Sequence, residues 1–423
     1  MPHLREDLLQ HIWQHRLFDS QNLKTTEGFK VEVIRPGELN SNAGPDFLNS
    51  RLKIGETEWA GNVEIHVRAS DWLRHKHQHD SNYENIILHV VFENDLEESL
   101  GTFPTLELKN LISNQVLTRY DLFVNASDEV PCGKQFMEVP ALIRNGWMDT
   151  LVVSRLQRKS EWIDQNIDEN AGDLEQAFQV VLFRAFGMKV NSEPFELLAK
   201  NTLWKVLAKH QNNLLQLEAI LFGNAGFLEN PEYEYQAKLS KEYEFLRHKY
   251  GLEPMDRNLW KFSRMHPKNF PSLRIGQLAA LFFETGAFFK WFGGKDVPDL
   301  LSALMIEPSQ YWQTHYRFGK EFPTVGNRLG MSMAQNILIN VLAPFLFILS
   351  ERETKMELKE QAMALLEQLK PESNKKTRPF AKFGFRPNNA MESQALIELK
   401  TNFCDHKKCI NCRIGANILK RES

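Results

Sequence analysis

The stretch 86–92, IILHVVF, decides the fold class, because six of its seven residues are apolar. A strand without alternation of polar and apolar residues is typical of the centre of a sheet that is covered on both faces. Gly55 interrupts a second strand-like stretch, 51–67, and therefore predicts a hairpin. Helical apolar spacing at 4–17 and a short helix after Ser70 complete the order helix, strand, hairpin, helix, strand. The predicted strands are 29–34, 51–54, 58–67, 85–93 and 105–108.

Secondary-structure patterns and composition divide the chain into three predicted regions. Residues 1–125 mix helix and strand patterns and predict an α+β domain. Residues 126–368 read almost entirely as helix and predict a large all-α region. Residues 369–423 predict a tail, which begins with a polar, loosely packed arm and ends with a cluster of cysteines.

Composition excludes several classes of protein. The chain has 423 residues, 42% of them hydrophobic and 25% charged, which excludes a disordered chain, a fibre and a disulfide scaffold. The formal net charge of −3 excludes a molecule that coats nucleic acid over its whole surface. The N-terminus has charges where a signal peptide needs an apolar core, and the longest apolar run, 337–349, is too short to span a bilayer. We therefore expect a cytoplasmic protein with no membrane segment; the oligomeric state stays open.

A carboxylate and an imidazole occupy an otherwise apolar strand near the hairpin. Glu64 and His66 are two residues apart, so their side chains share one face, and Asp46 precedes the other arm of the hairpin. Burying such groups is costly unless they are paired or bound to a metal. Two carboxylates with an imidazole suit Mg²⁺ or Mn²⁺. An alternative is that Asp46 only caps a turn and that Glu64 and His66 pair with each other or with Arg68.

Pro45-Asp46 followed by Glu64-Ile65-His66 resembles the signature of the PD-(D/E)XK nuclease superfamily. The resemblance implies a restriction-endonuclease-like mixed sheet and a Mg- or Mn-dependent phosphodiesterase. It also implies that Asp46 and Glu64 bind the metal and that His66 stands where the superfamily has a lysine. Histidine binds metals and acts as a general base near neutral pH, so this departure does not abolish the chemistry.

The resemblance leaves two further roles open. Lys53 and Lys76 are possible substitutes for the missing lysine. Some members of the superfamily use an additional glutamate in the first helix, which would be Glu6, with Glu38 as a rival.

A second group of histidines lies between the hairpin and the central strand. His75 and His79 would share a helix face and, with Asp80, could form a metal site, although a solvated surface is the plainer interpretation. His89 is expected to be a core histidine unless it faces His66. A zinc-dependent hydrolase that uses His66, His77 and His89 is a weaker hypothesis.

Cys404, Cys409 and Cys412 form a cluster that favours zinc or an iron–sulfur cluster over disulfides. The fourth ligand is predicted to be Cys132, with His406 as the local alternative; three reduced thiols without metal are the structural alternative. The same tail has 12 Lys or Arg against 4 Asp or Glu between positions 370 and 421, which indicates a solvated surface or a phosphate-binding face.

Several long strings, among them PGELNSNAGPDF, WAGNVEIHVRASDW and KFSRMHPKNFPSLRIGQLAAL, also resemble an uncharacterised bacterial family, a domain of unknown function. This resemblance covers nearly the whole chain and implies no activity. The sequence therefore predicts a metal-dependent nuclease that contacts DNA or RNA through its basic C-terminal region. The alternative is a non-catalytic scaffold that binds nucleic acid or protein and carries a degenerate nuclease-like domain.

Overall fold

A six-stranded mixed sheet organises the N-terminal part of the chain. In the computed structural model, which describes residues 4–40, 42–98, 100, 103–292, 295–322 and 327–421, the order across this sheet is β1-β3-β4-β5-β6, and β2 pairs with β3. Strands β1, β3 and β4 are antiparallel, whereas β4, β5 and β6 are parallel. The strands are β1 (Val31–Arg35), β2 (Glu38–Leu39), β3 (Phe47–Ile54), β4 (Thr57–Arg68), β5 (Ile86–Glu93) and β6 (Thr105–Glu107).

The predicted central strand and hairpin are confirmed. In β5 the first six residues are buried, because β4 and β6 flank it and both of its faces are covered. β3 and β4 form the hairpin, and Gly55 has a φ of +60° at its turn, where a residue without Cβ is least strained.

Helices cover this sheet and extend the first compact unit. α1 buries Leu8, Leu9, Ile12 and Trp13 at helical spacing and ends at Arg16, which has left-handed backbone geometry. The helices before the long helical region are α1 (Glu6–His15), α2 (Asp71–Arg74), α3 (Asn114–Val124) and α4 (Gly133–Phe136).

The remaining two thirds of the chain is largely helical. It also contains a two-stranded hairpin, β7 (His315–Arg317) with β8 (Lys320–Glu321), so the all-α prediction holds only in this coarser form. The helices are α5 (Ala141–Glu169), α6 (Leu174–Phe186), α7 (Ser192–Lys200), α8 (Trp204–Ala208), α9 (Leu214–Asn224), α10 (Glu234–Tyr250), α11 (Pro271–Thr285), α12 (Phe288–Phe292), α13 (Val297–Leu304), α14 (Gln310–Thr314), α15 (Met331–Ile337), α16 (Ala343–Glu353), α17 (Met356–Gln368), α18 (Arg378–Ala381), α19 (Ala390–Leu399) and α20 (Arg413–Lys420).

The chain forms two compact units that differ from the three predicted regions. The first unit comprises residues 1–147, 375–386 and 399–423, and the second comprises 148–374 and 387–398. The arm after Lys370 is not loosely packed, because the rings of Phe380 and Phe385 lie 5.6 and 5.3 Å from the ring of Phe136. These aromatic residues, interspersed in a polar sequence, tie the tail to the first unit.

The apolar run at 337–349 belongs to a longer helix than the sequence predicts. α15 and α16 are joined by a π-helical turn, Leu338–Leu342, into a continuous stretch, Met331–Glu353. By length and composition this stretch could cross a membrane, but 72% of its apolar window is buried inside the protein. Burial of this kind is the pattern of a core helix.

Candidate metal centre

Two carboxylates meet where β3 begins beside β4. Phe47 pairs with Val63, so Asp46 and Glu64 become neighbours although 18 residues separate them in sequence. The amide of Asp46 donates to Glu64 Oε2 at 3.0 Å, and the amide of Ile65 donates to Asp46 Oδ2 at 3.1 Å. The reciprocal bonds fix both carboxylates against the backbone of the two strands.

Helix α1 supplies a third carboxyl group near this pair. Gln10 donates to Asp46 Oδ1 at 2.8 Å, and Glu6, one helical turn earlier, lies close enough to raise the pKa of both Asp46 and Glu64. Burial is the larger cause of both raised pKa values. Glu38, the rival of Glu6, is instead exposed in β2 and pairs with Arg35.

Among the described residues, neither Lys53 nor Lys76, the possible substitutes for the lysine, forms an ion pair with these carboxylates. The ammonium of Lys53 lies 4.0 Å from Glu56 at the hairpin turn, and Lys76 is exposed beyond α2. His66 occupies the position expected for the lysine, and its Nε2 lies 3.6 Å from Glu64 Oε1.

Three imidazoles converge on the same side of Glu64. His66 Nε2 lies 3.1 Å from His75 Nδ1, and His77 Nε2 lies 3.4 Å from Glu64 Oε1. One ring nitrogen from each of His66, His75 and His77 lies within 4.8 Å of the others. Two ligands bound tetrahedrally at about 2.1 Å from a metal are separated by about 3.4 Å. The three nitrogens therefore have the spacing of a coordination shell, and Glu64 Oε1 has that spacing from two of them, those of His66 and His77.

His89 orients His66 from the neighbouring strand. The parallel register places His89 opposite Glu64, and His89 Nε2 lies 2.9 Å from His66 Nδ1. His66 thus uses Nδ1 within the core and presents Nε2 to His75. A hydrogen bond on the second ring nitrogen is the usual support of a metal-binding histidine.

The geometry of the loop contradicts the prediction that His75 and His79 share a helix face. α2 ends at Arg74, and Lys76 has a φ of +62°, so no continuous helix connects His75 to His79. The left-handed turn brings His75 beside His77 instead, while His79 is exposed outside the group. Asp80 caps the following turn through the amide of Asn82.

Aromatic side chains pack against His66 and His77, whereas His75 is exposed. The ring of Tyr83 lies 3.9 Å from that of His77, and Trp72 contacts both His77 and His66 edge-on. Burial, followed by the neighbouring imidazoles, lowers the pKa of His66 to about 2. His66 is therefore neutral at physiological pH, which is the form that binds a metal.

A family model matches residues 6–375. The chain belongs to the DUF2851 family. The family is described as protein of unknown function, which confirms the predicted similarity to an uncharacterised family and assigns no activity. No curated protein and no solved structure matches the chain. In this DUF2851 chain the matched range includes the whole carboxylate and imidazole group but ends before Cys404.

The four cysteines come together in the first unit without forming disulfides. Cys132 begins α4, Cys404 ends a π-helical turn, and Cys409 and Cys412 precede α20; all four are buried. Burial raises the pKa of Cys132 and Cys404, and so do the neighbouring thiols. Among the described residues, however, no three of these sulfurs all lie within 4.8 Å of one another.

Proposed function

We propose that the protein is a metal-dependent nuclease whose metal is held by Glu64, His66, His75 and His77. The spacing of the three imidazole nitrogens carries the proposal, and Glu64 Oε1 lies 3.6 Å from His66 Nε2 and 3.4 Å from His77 Nε2. Asp46 adjoins the group through Glu64, and Glu6 adds a further negative charge. The donor set contains more imidazole than the sequence analysis assumed, which favours Mn²⁺ or Zn²⁺ over Mg²⁺.

The strand arrangement supports a restriction-endonuclease-like fold. A helix precedes three antiparallel strands, β1, β3 and β4, and a short helix then leads to β5, which is parallel to β4. Asp46 lies directly before the second of these strands, and Glu64 and His66 lie in the third. These are the positions that the PD-(D/E)XK resemblance implies.

The side chains of this chain would divide the work around a phosphodiester. A bound cation supplies Lewis acidity and lowers the pKa of a water molecule. His89 holds the tautomer and orientation of His66, and Gln10 holds Asp46. Lys76 is exposed between two of the proposed ligands, where its ammonium can contact phosphate. We assign further contacts with DNA or RNA to the basic tail, in which Lys408 and Arg413 are exposed.

The test combines metal binding with cleavage. Metal-free full-length protein is titrated with Mn²⁺ and followed by electron paramagnetic resonance. His75→Ala should weaken binding roughly 100-fold, because even outer-shell partners are worth about 10- to 100-fold. His79→Ala is the matched control, since it removes an exposed imidazole from the same loop and should leave affinity unchanged.

Cleavage of plasmid, single-stranded DNA and RNA is then measured with Mn²⁺. Glu64→Gln and Asp46→Asn should abolish hydrolysis, while His79→Ala should retain it. Hydrolysis that survives both carboxylate substitutions would exclude this site as the source of activity.

Burial favours one alternative function, a non-catalytic scaffold. Glu64 is only 5% exposed and His66 only 1%, which is compatible with a metal that serves folding alone. In that case Mn²⁺ or Zn²⁺ binds and raises the melting temperature, and no nucleic acid is cleaved. The same experiment therefore distinguishes the two functions.

We further propose that Cys132, Cys404, Cys409 and Cys412 hold zinc or an iron–sulfur cluster. The four thiols are buried and unbridged, and the other three all interact electrostatically with Cys404, which supports a shared ligand. Protein purified without oxygen should contain stoichiometric zinc, or iron with sulfide and a brown colour, and Cys409→Ser should lower that content. Full metal retention in the variant would reject the assignment.

A further inference from the structure

The second unit contains a cavity of about 1180 Å³ with a strongly basic lining. Seven of the lining residues are Lys or Arg, and the one acidic residue is Glu372. Pockets for small molecules usually measure about 300 to 1,000 Å³, so this one has room for a ligand of nucleotide size. Every lining residue belongs to the second unit, and the cavity is therefore separate from the candidate metal centre.

Arg274 is the chemically unusual member of the lining. It lies in the first turn of α11 and is only 6% exposed. Its guanidinium donates to Gln277 Oε1 at 2.9 Å and to Asn269 Oδ1 at 2.8 Å, and both partners are neutral amides. Its Nε is buried without a hydrogen-bond partner, and within the described part of the chain no carboxylate forms an ion pair with it.

A chain of hydrogen bonds fixes the side chain of Arg274. Gln277, which receives one of its bonds, donates in turn to the carbonyl of Asn327 at 2.7 Å. A buried cation without a counter-charge is unfavourable, and removing one partner of a buried pair costs several kilocalories per mole for this reason. The protein thus fixes an uncompensated guanidinium in the wall of a cavity.

Other cations face the same space. Lys159 is half-buried and donates to Asn340, and desolvation, together with the neighbouring Arg155, lowers its pKa to about 7. Lys268 is exposed in the turn before α11, and Arg328 is held by the carbonyl of Met305. An anion with several negative charges would compensate this arrangement, whereas a single carboxylate would not.

The lining also offers a flat surface and amides. Trp162 is half-buried in the wall, and the guanidinium of Arg184 lies 4.9 Å from the centre of its ring. Asn336 and Asn340 are among the lining residues, and amides pair with the edges of a nucleobase. Aromatic rings stack on bases irrespective of sequence.

We propose that this cavity binds a nucleoside 5′-phosphate, with Arg274 as the principal phosphate ligand and Trp162 beside the base. The planar fork of an arginine matches phosphate oxygens in a bidentate way. The phosphate belongs either to a free nucleotide or to the 5′ end of an oligonucleotide. The proposal is independent of the metal centre and stands if the nuclease assignment fails.

The test uses full-length protein, without added metal, in calorimetric titrations with ATP, AMP, pyrophosphate and inorganic phosphate. ATP should bind more tightly than inorganic phosphate and should quench tryptophan fluorescence, and Trp162→Phe should remove the quench. Arg274→Gln should weaken binding roughly 10- to 100-fold, because charged hydrogen bonds are lost. Arg352→Gln, a surface arginine of the same unit that is paired with Asp164, is the matched control and should bind as the parent does.

Stability separates a ligand-binding role from a structural one. Without ligand, Arg274→Gln should melt at the same or a higher temperature than the parent, because it removes an uncompensated buried charge. ATP should raise the melting temperature of the parent and not that of the variant. If Arg274→Gln lowers the melting temperature without ligand and leaves ATP affinity unchanged, the arginine is structural and the proposal fails.

Two further measurements test the cavity through an exposed lysine and through oligonucleotide competition. Lys268→Gln changes an exposed residue, should fold normally, and should also weaken ATP binding. If a 5′-phosphorylated oligonucleotide competes with ATP and its 5′-hydroxyl counterpart does not, the phosphate is that of a nucleic-acid end. If neither oligonucleotide competes, the ligand is a free nucleotide. Absence of binding by all four phosphate compounds at millimolar concentration overturns the proposal.

Discussion

The candidate metal centre of the first unit and the basic cavity of the second unit bury opposite excesses of charge. Around Glu64, carboxyl groups and imidazoles gather, and no Lys or Arg of the described chain bonds to Glu64 or Asp46. Around Arg274, further cations line the cavity, and the side-chain partners of Arg274 itself are amides. Each arrangement is unfavourable alone and would be relieved by a ligand of opposite charge. The comparison therefore predicts different ligands for the two units, a cation for the first and an anion for the second.

The largest effect is expected where a carboxylate neutralises the cations of the second unit. Glu398 is buried and lies 2.6 Å from Arg158 and 3.6 Å from Arg155. Glu398→Gln should lower the free energy of unfolding by about 3 kcal/mol, because it leaves the largely buried Arg155 without its partner. The measurement is urea unfolding of the full chain followed by circular dichroism.

The matched control for Glu398 is an exposed ion pair of the first unit. Arg51 and Glu58 approach to 2.5 Å, but their side chains are 58% and 50% exposed. Glu58→Gln should change the free energy of unfolding by less than about 1 kcal/mol. Equal effects of the two substitutions would show that the cations of the second unit are not held in a low-dielectric interior.

A smaller, pH-dependent effect is expected at Glu218, a buried carboxyl of the second unit that forms no ion pair with any Lys, Arg or His of the described residues. Burial raises its pKa from the ordinary value of 4.5 to about 7, and Tyr235 donates to its Oε2 at 2.5 Å. Because the pKa is raised in the folded state, its stabilising contribution is complete below pH 4.5 and is lost as the pH rises through 7.

Glu218→Gln should therefore be more stable than the parent at pH 8, by at most about 3 kcal/mol, and similar to it near pH 5. Melting temperatures measured across this range check the prediction. A constant difference at every pH would mean that Glu218 does not titrate on unfolding.

The smallest effect concerns the support of the metal centre. His89→Leu fills the same buried position but removes the ring nitrogen that contacts His66. We expect Mn²⁺ affinity to fall roughly tenfold, about 1.4 kcal/mol, with unchanged stoichiometry. Unchanged affinity would assign His89 to packing alone, and ATP binding in the same variant should stay as in the parent.

Strand pairing explains how much of the site was predictable. Glu64 and His66 share a face because a strand has a period of two, so their proximity follows from spacing alone. Asp46 joins them because the hairpin around Gly55 fixes the register of β3 on β4. The grouping of His75 with His66 and His77 could not be predicted, because it depends on the left-handed backbone at Lys76, a residue with no special preference for that geometry.

The sequence by itself determined the mixed sheet, the hairpin and the largely helical remainder, because hydrophobic periodicity and turn residues act within a few positions along the chain. The tertiary structure alone decided that most of the tail belongs to the first unit and that Arg274 lies in a cavity wall without an ion pair to any described residue. Both depend on contacts between residues far apart in sequence, such as Phe136 with Phe380. Local patterns carry no information about which distant side chain will fill a given space, and so the basic cavity emerged only from the packed molecule.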